Sequence, residues 1–247
     1  MKYKTKLMTF SDKPEQILLG SLLGDGCITT KNSKKFTYRE MHSIKQEDYL
    51  LWKNKYLNFN FYRHEFLGKT RVEIRKENKN FKKYYDLFYI NGKKAVNRRS
   101  LDTLNEIGLA YWYLDDGHYP YRTDCIVLST QTFGLKGNKI IQKYFKERWD
   151  IDCKVQKRHD ERYDKRRYNL CINAKETKRF IELIKTHVLE IPSMYYKIGL
   201  DNHKIEEAGI KNRKYYLDNR DKIKEYYLDH KKEKLKYRRD YYKKFGR

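Results

Sequence analysis

Two stretches decide how this chain is read: Leu18–Gly26, LLGSLLGDG, and Leu109–Gly117, LAYWYLDDG. Each is an apolar run that ends on a carboxylate placed immediately before a glycine. One such ending is ordinary turn chemistry, since Asp and Gly both favour the chain reversals that follow helices. Two of them, about ninety residues apart, gain meaning if the elements around them also repeat.

Working outward from the first stretch, Ser11 or Asp12 offers a cap and Pro14 a first turn. Ile17, Leu18, Leu22 and Leu23 then form one face, which predicts a helix over 14–23 stopped by glycine. Strand-like segments follow near 27–30 and 36–43, then an amphipathic helix near 46–58. Strands near 63–67 and 70–75, joined at Gly68-Lys69, precede a helix over 80–90. After a basic connection over 92–100 the order restarts, with a helix over 104–114 and strands near 125–130. A helix over 135–149, strands near 153–158 and 167–172 and a helix over 175–188 complete it. The fold class expected is α+β, with two pseudo-symmetric αββαββα repeats packed through the two motif helices. The expected bounds are 1–95 and 103–205 for the repeats, 96–102 for the linker, and 206–247 for a basic helical tail.

Charge points to the partner. The 247 residues carry 57 Lys and Arg against 33 Asp and Glu, a formal net charge of +24. Such an excess fits a polyanion, whose counterions are released as Lys and Arg neutralise phosphates. The 24 tyrosines supply aromatic core material, so the chain is not a disordered basic tail. Cys27, Cys125, Cys153 and Cys171 form no Cys-x-x-Cys pair, which argues against structural zinc and predicts reduced core residues in an intracellular, reducing compartment. No apolar run is long enough for a signal peptide or membrane span. In the tail, Lys214-Tyr215-Tyr216-Leu217-Asp218 recurs as Glu225-Tyr226-Tyr227-Leu228-Asp229, and Lys236-Tyr237 with Asp240 keeps the register. Eleven residues make three helical turns, so Tyr215, Tyr226 and Tyr237 would line one face of a helix that either is merely solvated or follows phosphates.

If the motif helices pack side by side, Asp25 and Asp116 meet at their C-terminal ends, where carboxylates and negative helix ends attract divalent cations. Gly20 and Gly24, one turn apart, would let the backbones approach. Such a site suits phosphodiester hydrolysis without a covalent nucleophile, and a two-fold arrangement matches the two strands of a duplex.

The two segments resemble the paired motifs of the LAGLIDADG homing endonucleases, in the single-chain class with two motifs, over roughly residues 11–200. The resemblance implies a saddle of antiparallel sheets over DNA, with Asp25 and Asp116 as metal-binding catalytic residues. It also implies a basic residue near each repeat's end, here Lys94 in NGKKAV and Lys197 in SMYYKIGL, with Gln131 in LSTQTF as a third polar catalytic candidate. The motifs are not identical. Gly24 stands where the second has Asp115, and Gly20 and Ser21 stand where it has Tyr111 and Trp112, so the helix interface is expected to be asymmetric. Asp115 reads as a helix-end or solvent residue.

Strand alternation selects a DNA-facing surface. Val72 and Ile74 would point inward, leaving Arg71, Glu73 and Arg75 outward. Lys154, Gln156 and Arg158 would oppose Cys153, Val155 and Lys157, and Arg167 with Asn169 would oppose Tyr168, Leu170 and Ile172. Arg39 joins them on a strand that alternates poorly. Arg, Gln, Asn and Glu can pair with base edges in the major groove.

These features and the resemblance together predict a monomeric, site-specific double-strand DNA endonuclease, which the resemblance implies is of mobile-intron type, using Mg2+ or another divalent cation such as Mn2+. Its expected setting is DNA-associated, in the cytoplasm of a bacterium or phage-infected cell or in an organelle matrix. Double-stranded DNA is the expected partner, with no membrane contact. The alternatives are an RNA maturase that binds intron RNA, a DNA-binding regulator on the same scaffold, and a basic structural nucleic-acid protein.

Overall fold

A computed structural model describes residues 12–31, 34–66, 68–120, 125–160, 165–200, 214–215, 217–222 and 225. The chain divides into two compact units, Met1–Leu200 and Asp201–Arg247. The first opens with α1 (Lys13–Leu23), β1 (Cys27–Lys31), β2 (Lys35–Ser43), α2 (Glu47–Leu57), β3 (Asn60–Phe66), β4 (Lys69–Glu77) and α3 (Lys82–Phe88). A small hairpin, β5 (Tyr89–Ile90) and β6 (Lys93–Lys94), and a short α4 (Arg98–Leu101) lead to the second motif. There α5 (Glu106–Asp116) is followed by β7 (Gly117–His118), β8 (Ile126–Leu128), α6 (Gly134–Trp149), β9 (Cys153–Asp160), β10 (Lys165–Ile172) and α7 (Ala174–Val188). A 3-10 helix over Pro192–Ile198 follows. The two four-stranded sheets have the same order, β1-β2-β4-β3 and β7-β8-β10-β9, and every pairing in them is antiparallel. The repeated αββαββα order is therefore also a repeated topology.

The two motif helices form the centre. Pro14 sits in the first turn of α1, and the Asn105 side chain caps α5 by accepting from the amides of Ile107 and Gly108. Residues Gln16–Leu23 and Gly108–Leu114 are all buried, so both helices are covered on every side. Their backbones approach closely at Gly20, where a Cβ would stand 2.3 Å from the Gly108 carbonyl oxygen. The close approach expected at Gly20 and Gly24 holds, with Tyr111 Cβ and the Trp112 backbone close beside Gly20. At the other end, Gln16 Nε2 donates to the Thr103 carbonyl at 2.8 Å and its Oε1 accepts from the Asn105 amide at 3.0 Å. The parallel alignment of the helices is thus pinned at their N-termini.

Several local expectations need correction. The helix read over 80–90 ends at Phe88, because Asn91 (φ 51°) and Gly92 (φ 75°) both take left-handed backbone and turn the chain into the β5–β6 hairpin. The segment read as a connection therefore carries Lys94 on a strand. Helix α5 runs to Asp116, beyond the expected stop at Leu114. Cys153 and Cys171 are buried, whereas Cys27 and Cys125 are only partly covered. Strand β2 alternates well, with Phe36, Tyr38, Glu40 and His42 all buried. In the second unit most of the described residues over 214–222 are helical, and Tyr215 is exposed. Tyr226 and Tyr237, and with them the eleven-residue face, lie outside the described residues. Among the described residues, no helix is long and apolar enough to cross a membrane.

Candidate active site

The C-terminal ends of α1 and α5 bring Asp25, Asp115 and Asp116 into one cluster. Gly24 makes this possible, since a Cβ there would meet the Asp115 Cβ at 2.4 Å. Burial first, then the charge of Asp115, pushes the Asp25 carboxyl up to about 6. The same causes, with Asp25 added, push Asp116 up to about 8. Among the described residues neither carboxylate accepts a hydrogen bond, and His42 Nδ1 lies 3.8 Å from Asp25 Oδ2. Crowded carboxylates with raised pKa values and open lone pairs are a donor set that a hard divalent cation satisfies.

Lys94 and Lys197 flank this cluster from the two repeats. Lys94 Nζ donates to the Gly24 carbonyl and Lys197 Nζ to the Gly117 carbonyl, each at 2.7 Å. Burial lowers both ammonium pKa values, and the motif aspartates partly restore them. Each lysine thus holds a carbonyl beside the motif aspartate of its own repeat. Gln131 is different. It opens a 3-10 turn after β8, half-exposed, and among the described residues no hydrogen bond joins it to either aspartate.

Of the two readings for Asp115, helix end or solvent residue, the structure keeps the first: Asp115 lies in the last turn of α5 and does not face solvent. Its side chain has no exposed surface. Oδ1 accepts from Lys53 Nζ at 2.7 Å and from the Tyr49 hydroxyl at 2.6 Å, and Oδ2 accepts from the Asp25 amide at 3.3 Å. Lys53 also donates to Ser21 Oγ at 2.8 Å and Glu40 Oε1 at 2.5 Å. Glu40 in turn accepts from the Tyr38 hydroxyl at 2.6 Å and from His42 Nε2 at 2.8 Å. Burial opposes the charges of Glu40 and Lys53, but their partners prevail, lowering the carboxyl pKa and raising the ammonium one. Asp25, His42 and Asp115 offer ligand atoms within 4.8 Å of one another. The Lys53 charge at Asp115 works against a cation at that trio, which leaves Asp25 and Asp116 as the better pair.

This network was missed in the sequence, though signals exist. Glu40 and His42 fall in register with Phe36 and Tyr38, and Lys53 falls one turn from Tyr49 and Leu50 on the buried face of α2. Charge at inward positions of an alternating strand or helix marks a buried polar cluster.

Strand register places the predicted surface residues on common faces. Arg39 is level with Arg75, and Met41 with Glu73. In the other sheet Arg167 pairs with Arg158, Asn169 with Gln156 and Cys171 with Lys154. The Arg158 side chain lies outside the described residues. Glu73 does not face solvent. It is covered, accepting from Arg39 Nε at 2.8 Å and His64 Nε2 at 2.7 Å, with Arg75 Nε at 3.9 Å. Burial alone would raise its pKa, and Arg39 outweighs this to lower it. Asn169 is likewise buried, with Oδ1 unpartnered. Arg71 and Lys154 are exposed, and Arg75, Gln156 and Arg167 are half-buried.

Residues 15–180 match the model of the LAGLIDADG DNA endonuclease family. The chain belongs to that family. Among curated relatives, the intron-encoded endonuclease ai4 of Dictyostelium discoideum is 30% identical over 141 residues, covering 57% of this chain and 79% of that protein. The DNA endonuclease I-ChuI of Chlamydomonas applanata is 26% identical over 219 residues, 79% of this chain and 98% of its own. In structure, the homing endonuclease I-WcaI bound to its DNA recognition sequence superposes with a TM-score of 0.65 at 25% identity, covering 79% of this chain and 90% of that one. As a LAGLIDADG protein it carries two motifs in one chain, on α1 and α5, which pack against each other.

Proposed function

We propose that this LAGLIDADG protein is a site-specific endonuclease that cuts both strands of a double-stranded DNA target with a divalent metal ion. The observation that carries the reading is the convergence of Asp25 and Asp116 at the ends of two packed motif helices, each beside its own lysine, Lys94 half-buried and Lys197 buried. Asp25 and Asp116 would hold the ion. When bound, it supplies Lewis-acid stabilisation of charge at the scissile phosphate and activation of water.

The chain's own groups do the rest. Lys94 and Lys197 keep the ends of the motif helices in place and set positive charge near the phosphates. The sheet faces carrying Arg39, Arg71, Arg75, Lys154, Gln156, Arg158 and Arg167 would dock the duplex, with Arg and Gln reading base edges and Lys reaching phosphates. Glu73 would hold Arg39 and His64 in fixed orientations, and the net charge of +24 supplies long-range attraction. The repeat bounds 1–95 and 103–205, and action as a monomer near DNA within a cell or organelle, belong to the same reading.

The test is cleavage of plasmids carrying a randomised target library in Mg2+, followed by addition of a chelator. Discrete linear products from a subset of sequences, abolished by chelation, are expected. Tight binding to DNA or to intron RNA with no cutting in Mg2+ or Mn2+ would contradict the reading.

A further inference from the structure

The two repeats share a topology but not the chemistry beneath their motif ends. Strand register gives the equivalences. Cys27 pairs with Arg39, which sets Gly26 level with Glu40, while Gly117 pairs with Leu128. Leu128 therefore stands where the first repeat has Glu40. The motifs align Trp112 with Ser21. Behind Ser21 lies Lys53 of α2, and behind Trp112 lies Phe145 of α6, with the two rings 6.1 Å apart. A buried polar trio, Ser21, Glu40 and Lys53, thus corresponds to a buried apolar trio, Trp112, Leu128 and Phe145.

The apolar version shows that this scaffold does not need the charges in order to pack. Buried ion pairs are seldom more stabilising than well-packed apolar residues of similar volume, whereas they do fix geometry through directed bonds. Here the bonds lead to one place. Lys53 and Tyr49 hold Asp115 Oδ1, Asp115 Oδ2 accepts the Asp25 amide at 3.3 Å, and His42, held by Glu40, stands 3.8 Å from the Asp25 carboxylate. Asp115 also precedes Asp116 on α5, but its side-chain bond at the motif ends is to the Asp25 amide, and in the described residues no hydrogen bond is made to the Asp116 carboxylate.

We propose that Glu40, His42, Tyr49, Lys53 and Asp115 form a one-sided positioning device that fixes Asp25, so that cutting of the strand served by Asp25 depends on it and cutting of the other strand does not. The proposal rests on the double-strand cleavage reading. These are positioning residues, acting through Asp25 rather than on the DNA. A displacement of about 1 Å at a reacting group can cost about 10²-fold in rate, so the dependence is measurable even where binding is unchanged.

The test uses the full chain and a duplex target labelled with a different dye on each strand, in Mg2+. Glu40→Leu with Lys53→Met removes the Glu40–Lys53 pair, imitates the apolar character of the second repeat, and leaves Asp115 held by Tyr49 and the Asp25 amide alone. The expected result is target affinity within about threefold of wild type, a loss of up to about 10²-fold on one strand, and a change within about threefold on the other. The slowed strand should be the one most impaired by Asp25→Asn, and nicked circles should accumulate from plasmid targets. Tyr49→Phe and His42→Gln, each a small change, should shift the strand ratio in the same direction by less. Because His42→Gln keeps a donor for Glu40, it should be milder than His42→Ala. If the double variant fails to fold by circular dichroism, these single variants carry the same strand-ratio readout. Equal slowing of both strands, or an unchanged ratio in folded variants, would overturn the proposal alone. A wild type that cuts neither strand would overturn the double-strand cleavage reading and this proposal with it.

Discussion

The first repeat supports its motif aspartate with charge and the second supports its own with packing. Beneath Asp25 lie Lys53, Glu40, His42 and Tyr49, all buried. Beneath Asp116 lie Trp112, Leu128 and Phe145. The lysines at the two repeat ends also arrive differently, Lys94 on a hairpin strand and Lys197 on a 3-10 helix, although each ends on a motif carbonyl at 2.7 Å. The difference teaches that pseudo-symmetry here is kept at the level of topology and of the final carboxylates, while the supporting groups have diverged.

The largest expected effect would establish that both halves contribute. Asp25→Asn and Asp116→Asn should each reduce double-strand cleavage by on the order of 10³-fold, read as linear product from a plasmid target. Next comes the helix interface that joins the halves. Gly20→Ala places a Cβ 2.3 Å from the Gly108 carbonyl oxygen, against backbone that cannot yield cheaply, and should cost about 3 kcal/mol in denaturant melts.

Titration separates the two aspartates more finely. Both carboxyls hold protons more tightly in the folded chain than the ordinary value of 3.8, Asp25 near 6 and Asp116 near 8. Their stabilising contribution is therefore complete below the unfolded value, and is lost as pH rises through about 6 for Asp25 and about 8 for Asp116. Without metal, Asp116→Asn should raise the melting temperature at pH 8.5 by on the order of 5 °C, should do little at pH 4, and should exceed Asp25→Asn. A divalent cation should reverse this order by stabilising the wild type more than either variant. The smallest effect lies on the sheet face. Glu73→Gln loosens Arg39 and His64 and should weaken target binding about threefold while leaving the cutting rate of bound DNA unchanged, as separate equilibrium and single-turnover measurements would show.

Much of this was legible in the sequence because it is written in local signals. Pro14, the Gly24-Asp25-Gly26 stop and the apolar faces mark the motif helices, and alternation around Val72 and Ile74 places Arg71 and Arg75 on the outer face. The β5–β6 turn was also written, as Asn91-Gly92, but the helical pattern before it extended the reading to Ile90. What could not be read locally was the interior polar network. Lys53 is 13 residues from Glu40 and 62 from Asp115, so only the tertiary fold shows that they meet. For the same reason Asp115 reads in the sequence as no more than a helix-end or solvent residue and Glu73 as an exposed one, since neither sequence position reveals the cation that covers it.

The most direct test of the central claim, one motif aspartate for each strand, is strand-resolved cleavage by wild type, Asp25→Asn and Asp116→Asn on a single duplex target. The account predicts that the wild type cuts both strands and that the two variants are most impaired on opposite strands. Loss confined to the same strand in both variants, or full double-strand cutting by either, would contradict it.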